Sequence, residues 1–500
     1  MSSVPRPPLE PSGRDPSLSN ADLLPTPPER RTWEARHFAA LWIGMAICIP
    51  TYTMASGLIE QGMGAGQALF TIGLGNLIVL VPMLLNAHAG TRYGIPFPVF
   101  ARASFGVLGA NLPALLRALV ACGWFGIQTW FGGAALHQLG RVLWPGIDDW
   151  LPAGLCAFVG LRSGEILGFV AFWLLNVYFI WKGTEAIKWL ETLAAPFLIV
   201  VGLVLLAWAW RAAGGFGPIL SQPSRFEDTP AFLAVFFPSL TAMVGFWATL
   251  SLNIPDFTRY AQSQRAQMLG QTLGLPTAMT LFAFIGVAVT SATPLIFAGE
   301  TVWDPVVLLG RVGGGVVTVI AMVALSLATL STNIAANVVS PANDFSNLAP
   351  RHVSYRAGGL LTAVIGVAIL PWKLVESSDG YIFTWLIGYS ALLGPIGGIL
   401  AADYFVLQRR ELVVLDLYRR GGRYEYRHGV NPAAVIALVL AVLPCVPGFL
   451  NAAAPSRFPG VAAGWIAIYH YAWFVGFGLS GAIYLAAMKL RPLPGLRGQV

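Results

Sequence analysis

GWFGIQTWFGG, residues 123–133, is apolar almost throughout yet carries an amide at its centre. A run of this character within a longer apolar stretch is a bilayer-buried helix, and that reading decides the fold. On a helix Trp124 and Gln128 stand at i and i+4 and face the same way. A flat indole beside a primary amide can stack on, and hydrogen-bond to, a small planar ring that carries amides of its own. Far from water, that pairing points to a substrate site rather than to packing.

Outward from this segment the same chemistry continues. Of 500 residues, 56% are apolar and only 11% are charged. An ordinary soluble protein has about 25% charged residues. Apolar runs of about 18 residues or more recur along the whole chain, so an all-α polytopic membrane protein is expected. Twelve transmembrane helices are expected, at 36–59, 65–88, 111–138, 165–183, 187–210, 231–253, 273–298, 314–338, 357–375, 381–405, 432–450 and 462–488. Residues 1–35 are rich in Pro, Ser and Arg and lack the apolar core of a signal peptide. They read as a disordered cytoplasmic tail, with a second tail over 489–500.

Charge orients the chain. With the N-terminus inside, only Arg141, Arg162, Arg211, Arg225, Arg311, Lys373 and Arg457 fall in outer loops, and Arg117 lies near the inner end of the third span. The other Lys and Arg lie on inner segments. The positive-inside rule therefore places both termini in the cytoplasm; the expected location is the plasma (inner) membrane. The formal charge of +7 reflects those inner loops and not nucleic-acid binding. Cys48, Cys122, Cys156 and Cys445 form no CxxC pair, and the six His show no metal-ligand spacing. Neither a disulfide framework nor a bound cofactor is expected.

Two spans look interrupted. In LWIGMAICIPTY (41–52), Pro50 removes a backbone donor in mid-membrane, and in the sixth span Gly245 is followed by Asn253 and Pro255. Broken spans are tolerated where freed backbone groups line a cavity or bind a ligand. The first and sixth positions are equivalent if the chain holds two five-helix halves, which points to a transporter with inverted repeats and a midplane site. GFWATLSLNIPDFTRYAQSQ (245–264) contributes Phe246 and Trp247. ATLSTNIAANVVSPANDFSN (328–347) puts Ala328, Ser331 and Thr332 on one helical face and adds Asn337. GIPFPVFARASFG (94–106) reads as a loop with two prolines. No carboxylate falls in the middle of the first, third, sixth or eighth span, so a proton route would need an acid nearer the rim, such as Glu191.

With these segments in view, residues 33–490 resemble the nucleobase:cation symporter-1 family. The likeness rests on GWFGIQTW, NIPDFTRYAQSQ, LNAHAGTRYGIPFPVFARASFG (85–106), STNIAANVVSP (331–341) and DYFVLQRRELVVLDLY (403–418), in the family's order. It implies the LeuT-type fold, a 5+5 inverted repeat plus two accessory helices. The first repeat would be 36–210, the second 231–405, and the accessory helices 432–488.

The resemblance also implies a site. Trp124 and Trp247 match two indoles that sandwich the substrate ring, and Gln128 and Asn337 match amides that bond its N–H and C=O groups. Cys48 stands where the family's hydantoin transporter carries a glutamine, and Phe246 where it carries glycine. One hydrogen-bonding arm is lost and the pocket is narrower, so bulky hydantoins are disfavoured. The sodium site of that transporter maps onto Gly44, Ile47, Ala328, Ser331 and Thr332. The implied function is cation-coupled uptake of a nucleobase or related cyclic amide or ureide, uracil or allantoin first, by a monomer in membrane lipid. Sodium is the expected coupling ion, with the proton as alternative. The other readings are the same fold carrying cytosine, a purine, a hydantoin or a thiamine-like compound, and, more distantly, a channel or a membrane-embedded enzyme.

Overall fold

The computed structural model describes residues 14–182, 199–312 and 315–490. Among these, nine helices are long and apolar enough to cross a membrane, and a bent pair makes a tenth. Two shorter apolar helices, Ile199–Ala212 and Arg356–Ala368, lie where the fifth and ninth spans were expected. The first half of the fifth span and Glu191 lie outside the described residues, as do residues 1–13 and the tail beyond Leu490. The outer faces are greasy. On the second span Phe70, Leu77 and Val81 are all more than half exposed, as lipid-facing side chains must be.

Both expected interruptions are present. The first span is two helices, Ala35–Ala46 and Ile49–Glu60, bent by 60°. Pro50 stands in the first turn after the break, where its missing N–H would have had no helical partner anyway. The sixth span runs Thr229–Phe246, breaks at Trp247 (φ −103°, ψ 7°), and resumes as Ala248–Asn253 and Pro255–Thr258. The eighth runs Gly315–Asn337 and, past Val338, continues as Val339–Leu348. The third span, Asn111–Leu143, packs along the eighth and along the fourth, Ser163–Lys182. It approaches the fourth closely at Gly133 and Gly168, where a Cβ on Gly168 would meet the Gly133 carbonyl at 2.3 Å. Small residues that admit backbone contact are the usual cement between membrane helices.

Several expectations need correction. The ninth span does not reach 375; it ends at Ala368, and Leu370 turns to φ +55° ahead of a separate turn, Pro371–Leu374. Pro371 cannot continue a helix and pushes its predecessor out of helical geometry. The segment 94–106 is not a loop. Gly94, at φ 73°, ends the second span, and Phe97–Phe105 forms a wholly buried helix with Pro96 as its N-cap and Pro98 in its first turn. Prolines mark a helix start as readily as a loop.

The tail is likewise not disordered over 14–34. Leu18 and Leu23 are buried. Arg259 donates to the Asp22 and Leu24 carbonyls and to the Thr26 hydroxyl, at 2.7–2.9 Å. The Trp33 backbone N–H donates to the Tyr260 carbonyl, and the Gln262 N–H donates to the Trp33 carbonyl. Two leucines and a set of main-chain acceptors suffice to order a strap rich in proline and serine.

Candidate substrate and cation site

The two breaks are held by one helix. The tenth span begins with a π-helical turn, Gly380–Leu386, and continues as Ile387–Ala401. Its Tyr381 hydroxyl donates to the Pro50 carbonyl (3.2 Å), beside the first break. Its Tyr389 hydroxyl donates to the Gly245 carbonyl (2.8 Å), beside the second. Gly245 is among the last carbonyls of its helix, where the regular i+4 donor is lost, and the Trp247 backbone N–H also turns to it.

Trp124 lies within an aromatic box. Its ring meets Phe246 (5.2 Å), Trp385 (6.0 Å), Tyr381 (6.2 Å) and Tyr389 (6.3 Å), all edge-on. Trp385 reaches this place because Gly123 has no side chain; a Cβ there would stand 2.2 Å from the indole. Phe246 in turn meets Trp247 at 5.0 Å, and Trp247 meets Trp42 at 5.1 Å. Phe246 thus touches both indoles expected to sandwich a ring. Trp124, Phe246 and Trp247 are all buried.

The polar groups divide into spent and unspent. Gln128 is buried, and its Oε1 has no partner among the described residues. The same holds for the indole N–H of Trp247. Buried polar groups are bonded in the great majority of cases, so each exception calls for an explanation. Asn337, at the end of the eighth-span helix, donates through Nδ2 to Asn333 Oδ1 (3.0 Å). Asn333 donates to the Phe125 carbonyl and the Thr129 hydroxyl, each at 3.2 Å. Asn337 is therefore tied to the third span through neighbours of Trp124 and Gln128. Cys48 is buried at the first break, with its Sγ 3.3 Å from the Thr51 hydroxyl.

The expected cation ligands sit on helices that touch. The first half of the broken first span, with Gly44 and Ile47 at its end, packs against the eighth. On the eighth, Ser326 and Thr329 donate back to the carbonyls of Met322 and Leu325 (2.8 and 2.7 Å). That is the ordinary fate of a helical hydroxyl. Ser331 and Thr332 are buried beside Ala328, and no bond of this kind engages them among the described residues.

Sequence reasoning missed two groups. The aromatics Tyr381, Trp385 and Tyr389 recur at i, i+4 and i+8 in YIFTWLIGY (381–389), a spacing that a packing stripe shows equally well. It also missed a carboxylate. Because the eighth span continues to Leu348, Asp344 belongs to it, and its Oδ2 accepts from Arg117 Nη1 at 2.9 Å, with both side chains buried. Asn253 joins the pair. With its amide turned to satisfy its neighbours, it donates to the Thr249 carbonyl (2.6 Å) and accepts from Arg117 Nη2 (3.2 Å) and the Ser340 hydroxyl. The signal was Arg117 itself, since a lone arginine in an apolar span needs a partner.

Comparison with known proteins bears on these groups. Residues 25–476 match the family model for permeases of cytosine/purines, uracil, thiamine and allantoin. The purine-uracil permease NCS1 of Arabidopsis thaliana is 47% identical over 95% of this chain and 78% of its own length. The allantoin permease of Bacillus subtilis is 42% identical over 95% of this chain and 94% of its own. Among solved structures, Mhp1 in an inward-facing conformation superposes with a TM-score of 0.77 at 28% identity, covering 95% of this chain and 94% of its own. Mhp1, a nucleobase-cation-symport-1 family transporter, also superposes in a closed conformation with bromovinylhydantoin bound, with a TM-score of 0.76 at 26% identity, covering 95% of this chain and 96% of its own.

Proposed function

The chain belongs to the family of permeases for cytosine/purines, uracil, thiamine and allantoin, and from that premise we propose that it takes up a small cyclic amide or ureide of the uracil or allantoin type, coupled to sodium. It is a multi-pass membrane transporter of the LeuT-type fold and not an enzyme. The two repeats are 36–210 and 231–405, followed by accessory helices over 432–488. It works as a monomer in the plasma membrane, with both termini cytoplasmic.

The observation that carries the substrate reading is the unspent, buried amide of Gln128, one helical turn from Trp124 and its aromatic box. An amide edge of the substrate offers a donor beside an acceptor, and Gln128 offers the complementary pair. A ring without that edge leaves the buried amide unpaired, at a cost of about 1–3 kcal/mol per group. Trp124 and Trp247 supply the faces, Asn337 a second polar contact, and Cys48 part of the wall. Phe246, between the indoles, keeps the site narrow. Relatives named for purine and uracil and for allantoin, 47% and 42% identical, favour such small rings over bulky hydantoins.

The cation reading rests on the hydroxyls of Ser331 and Thr332, free of the helical bonds their neighbours make. With the Ala328 carbonyl and those of Gly44 and Ile47 they form a hard-oxygen set suited to a small cation. Competition of unlabelled uracil, allantoin, cytosine, hydantoin and thiamine against a radiolabelled ligand tests the substrate reading. Inhibition by uracil or allantoin that is lost in Gln128→Ala and Asn337→Ala supports it. Inhibition unchanged in both variants, at matched membrane levels, overturns it.

A further inference from the structure

A primary amide can offer either a donor or an acceptor, and which of the two Asn337 offers decides which ring edge it accepts. The chain of amides behind it settles the direction. Asn176, on the fourth span, donates through Nδ2 to the Phe172 carbonyl (2.8 Å). A carbonyl only accepts, so Asn176 turns its Oδ1 towards Asn333. Asn333 Nδ2 shares its two hydrogens among that oxygen (3.1 Å), the Phe125 carbonyl and the Thr129 oxygen. The hydrogen of Thr129 is already committed to the Phe125 carbonyl (2.7 Å). Asn333 Oδ1 is thereby turned to Asn337, whose Nδ2 it takes at 3.0 Å.

Turning either Asn176 or Asn333 over would set its oxygen against a main-chain carbonyl. Asn176, Asn333 and Thr129 are all fully buried, so such a mismatch would find no solvent to relieve it. Amide orientation is inferred from its network, and here backbone carbonyls anchor two of its three amides, Asn176 and Asn333. Asn337 Oδ1 is left without a partner among the described residues.

We propose that Asn333 is the positioning residue that fixes the polarity of the site: it ties up the amide nitrogen of Asn337, so that Asn337 presents an acceptor and selects rings with an N–H donor at that edge. This rests on the reading of Asn337 as a substrate ligand. The selected class is the cyclic imide or ureide N–H; a ring with an unprotonated nitrogen or an oxygen at the same place meets Asn337 oxygen to oxygen or lone pair to lone pair.

The test uses purified full-length protein and isosteric ligands. Uracil is compared with its two oxa analogues, in each of which one ring N–H is replaced by a ring oxygen. Wild type is expected to bind at least one analogue about tenfold or more weaker than uracil. In Asn333→Ala the Asn337 amide is free to turn over, and that penalty is expected to fall by about tenfold. A merely structural role for Asn333 would weaken uracil and its analogues in parallel and leave the ratio unchanged, which overturns the proposal. So does a wild type that binds both analogues as tightly as uracil, an arm that needs no variant to fold. Uracil binding unchanged in Gln128→Ala and Asn337→Ala instead breaks the substrate-site reading itself.

Discussion

Replacing Gln128 by leucine separates binding from folding. Gln128 is 3% exposed and its Oε1 lacks a partner among the described residues, so the substrate-free protein carries the cost of burying that oxygen. Leucine fills a similar volume without polar atoms. The apo protein is therefore expected to melt at the same temperature as wild type or higher, reflecting about 0 to 2 kcal/mol of relief. Binding moves the other way. A bound ring loses two partners in a buried site, at about 1–3 kcal/mol each, so affinity falls by roughly 30-fold to more than 10,000-fold. Thermal melting in detergent without ligand and equilibrium binding of radiolabelled uracil report the two effects on one preparation. A variant that melts several degrees lower while still binding refutes the reasoning, because Gln128 would then be a structural amide.

Three further outcomes follow from the geometry. Phe246 touches both indoles, so Phe246→Gly is expected to admit rings with larger substituents and to weaken a small ring through lost packing surface; an unchanged inhibition profile across large and small ligands places Phe246 outside the cavity wall. The Arg117–Asp344 pair is buried on both sides, so Asp344→Ala is expected to cost about 3–5 kcal/mol, seen as a sharp drop in melting temperature, whereas Arg117→Met with Asp344→Leu recovers most of it; equal melting of single and double variants contradicts this. Ser331→Ala with Thr332→Ala removes two hard oxygens and is expected to abolish the effect of sodium on ligand affinity while leaving weak sodium-independent binding; a sodium effect of wild-type size in the double variant removes both hydroxyls from the cation site.

Much of the architecture was legible because membrane helices announce themselves by length and apolarity, and because Pro50 and Gly245 mark backbone that cannot run straight. Trp124 and Gln128 were legible as a pair one turn apart. What stayed hidden depends on contacts distant in sequence. Tyr381 and Tyr389 matter through carbonyls of other spans, and Asn333 matters only because Asn176 and Phe125 stand where they do. Asp344 is hidden because the apolar run of the eighth span gives out near 338, before the second helix that carries the carboxylate to Arg117. The buried helix Phe97–Phe105 was hidden behind two prolines that read as a loop but serve as its cap and first turn. Composition alone hides the strap over 14–34, because it takes no account of the carbonyl acceptors offered to Arg259.

The central claim is uphill, cation-driven uptake of a small amide ring through this site. The most direct measurement reconstitutes the purified protein in sealed vesicles and follows radiolabelled uracil and allantoin at fixed pH, under an inward sodium gradient and under choline. The account predicts accumulation of one of these rings above the external concentration with sodium, collapse of that accumulation when an ionophore dissipates the gradient, and no accumulation by the Gln128→Leu protein. Equilibration to the external concentration and no further, unaffected by any sodium or proton gradient, would contradict it.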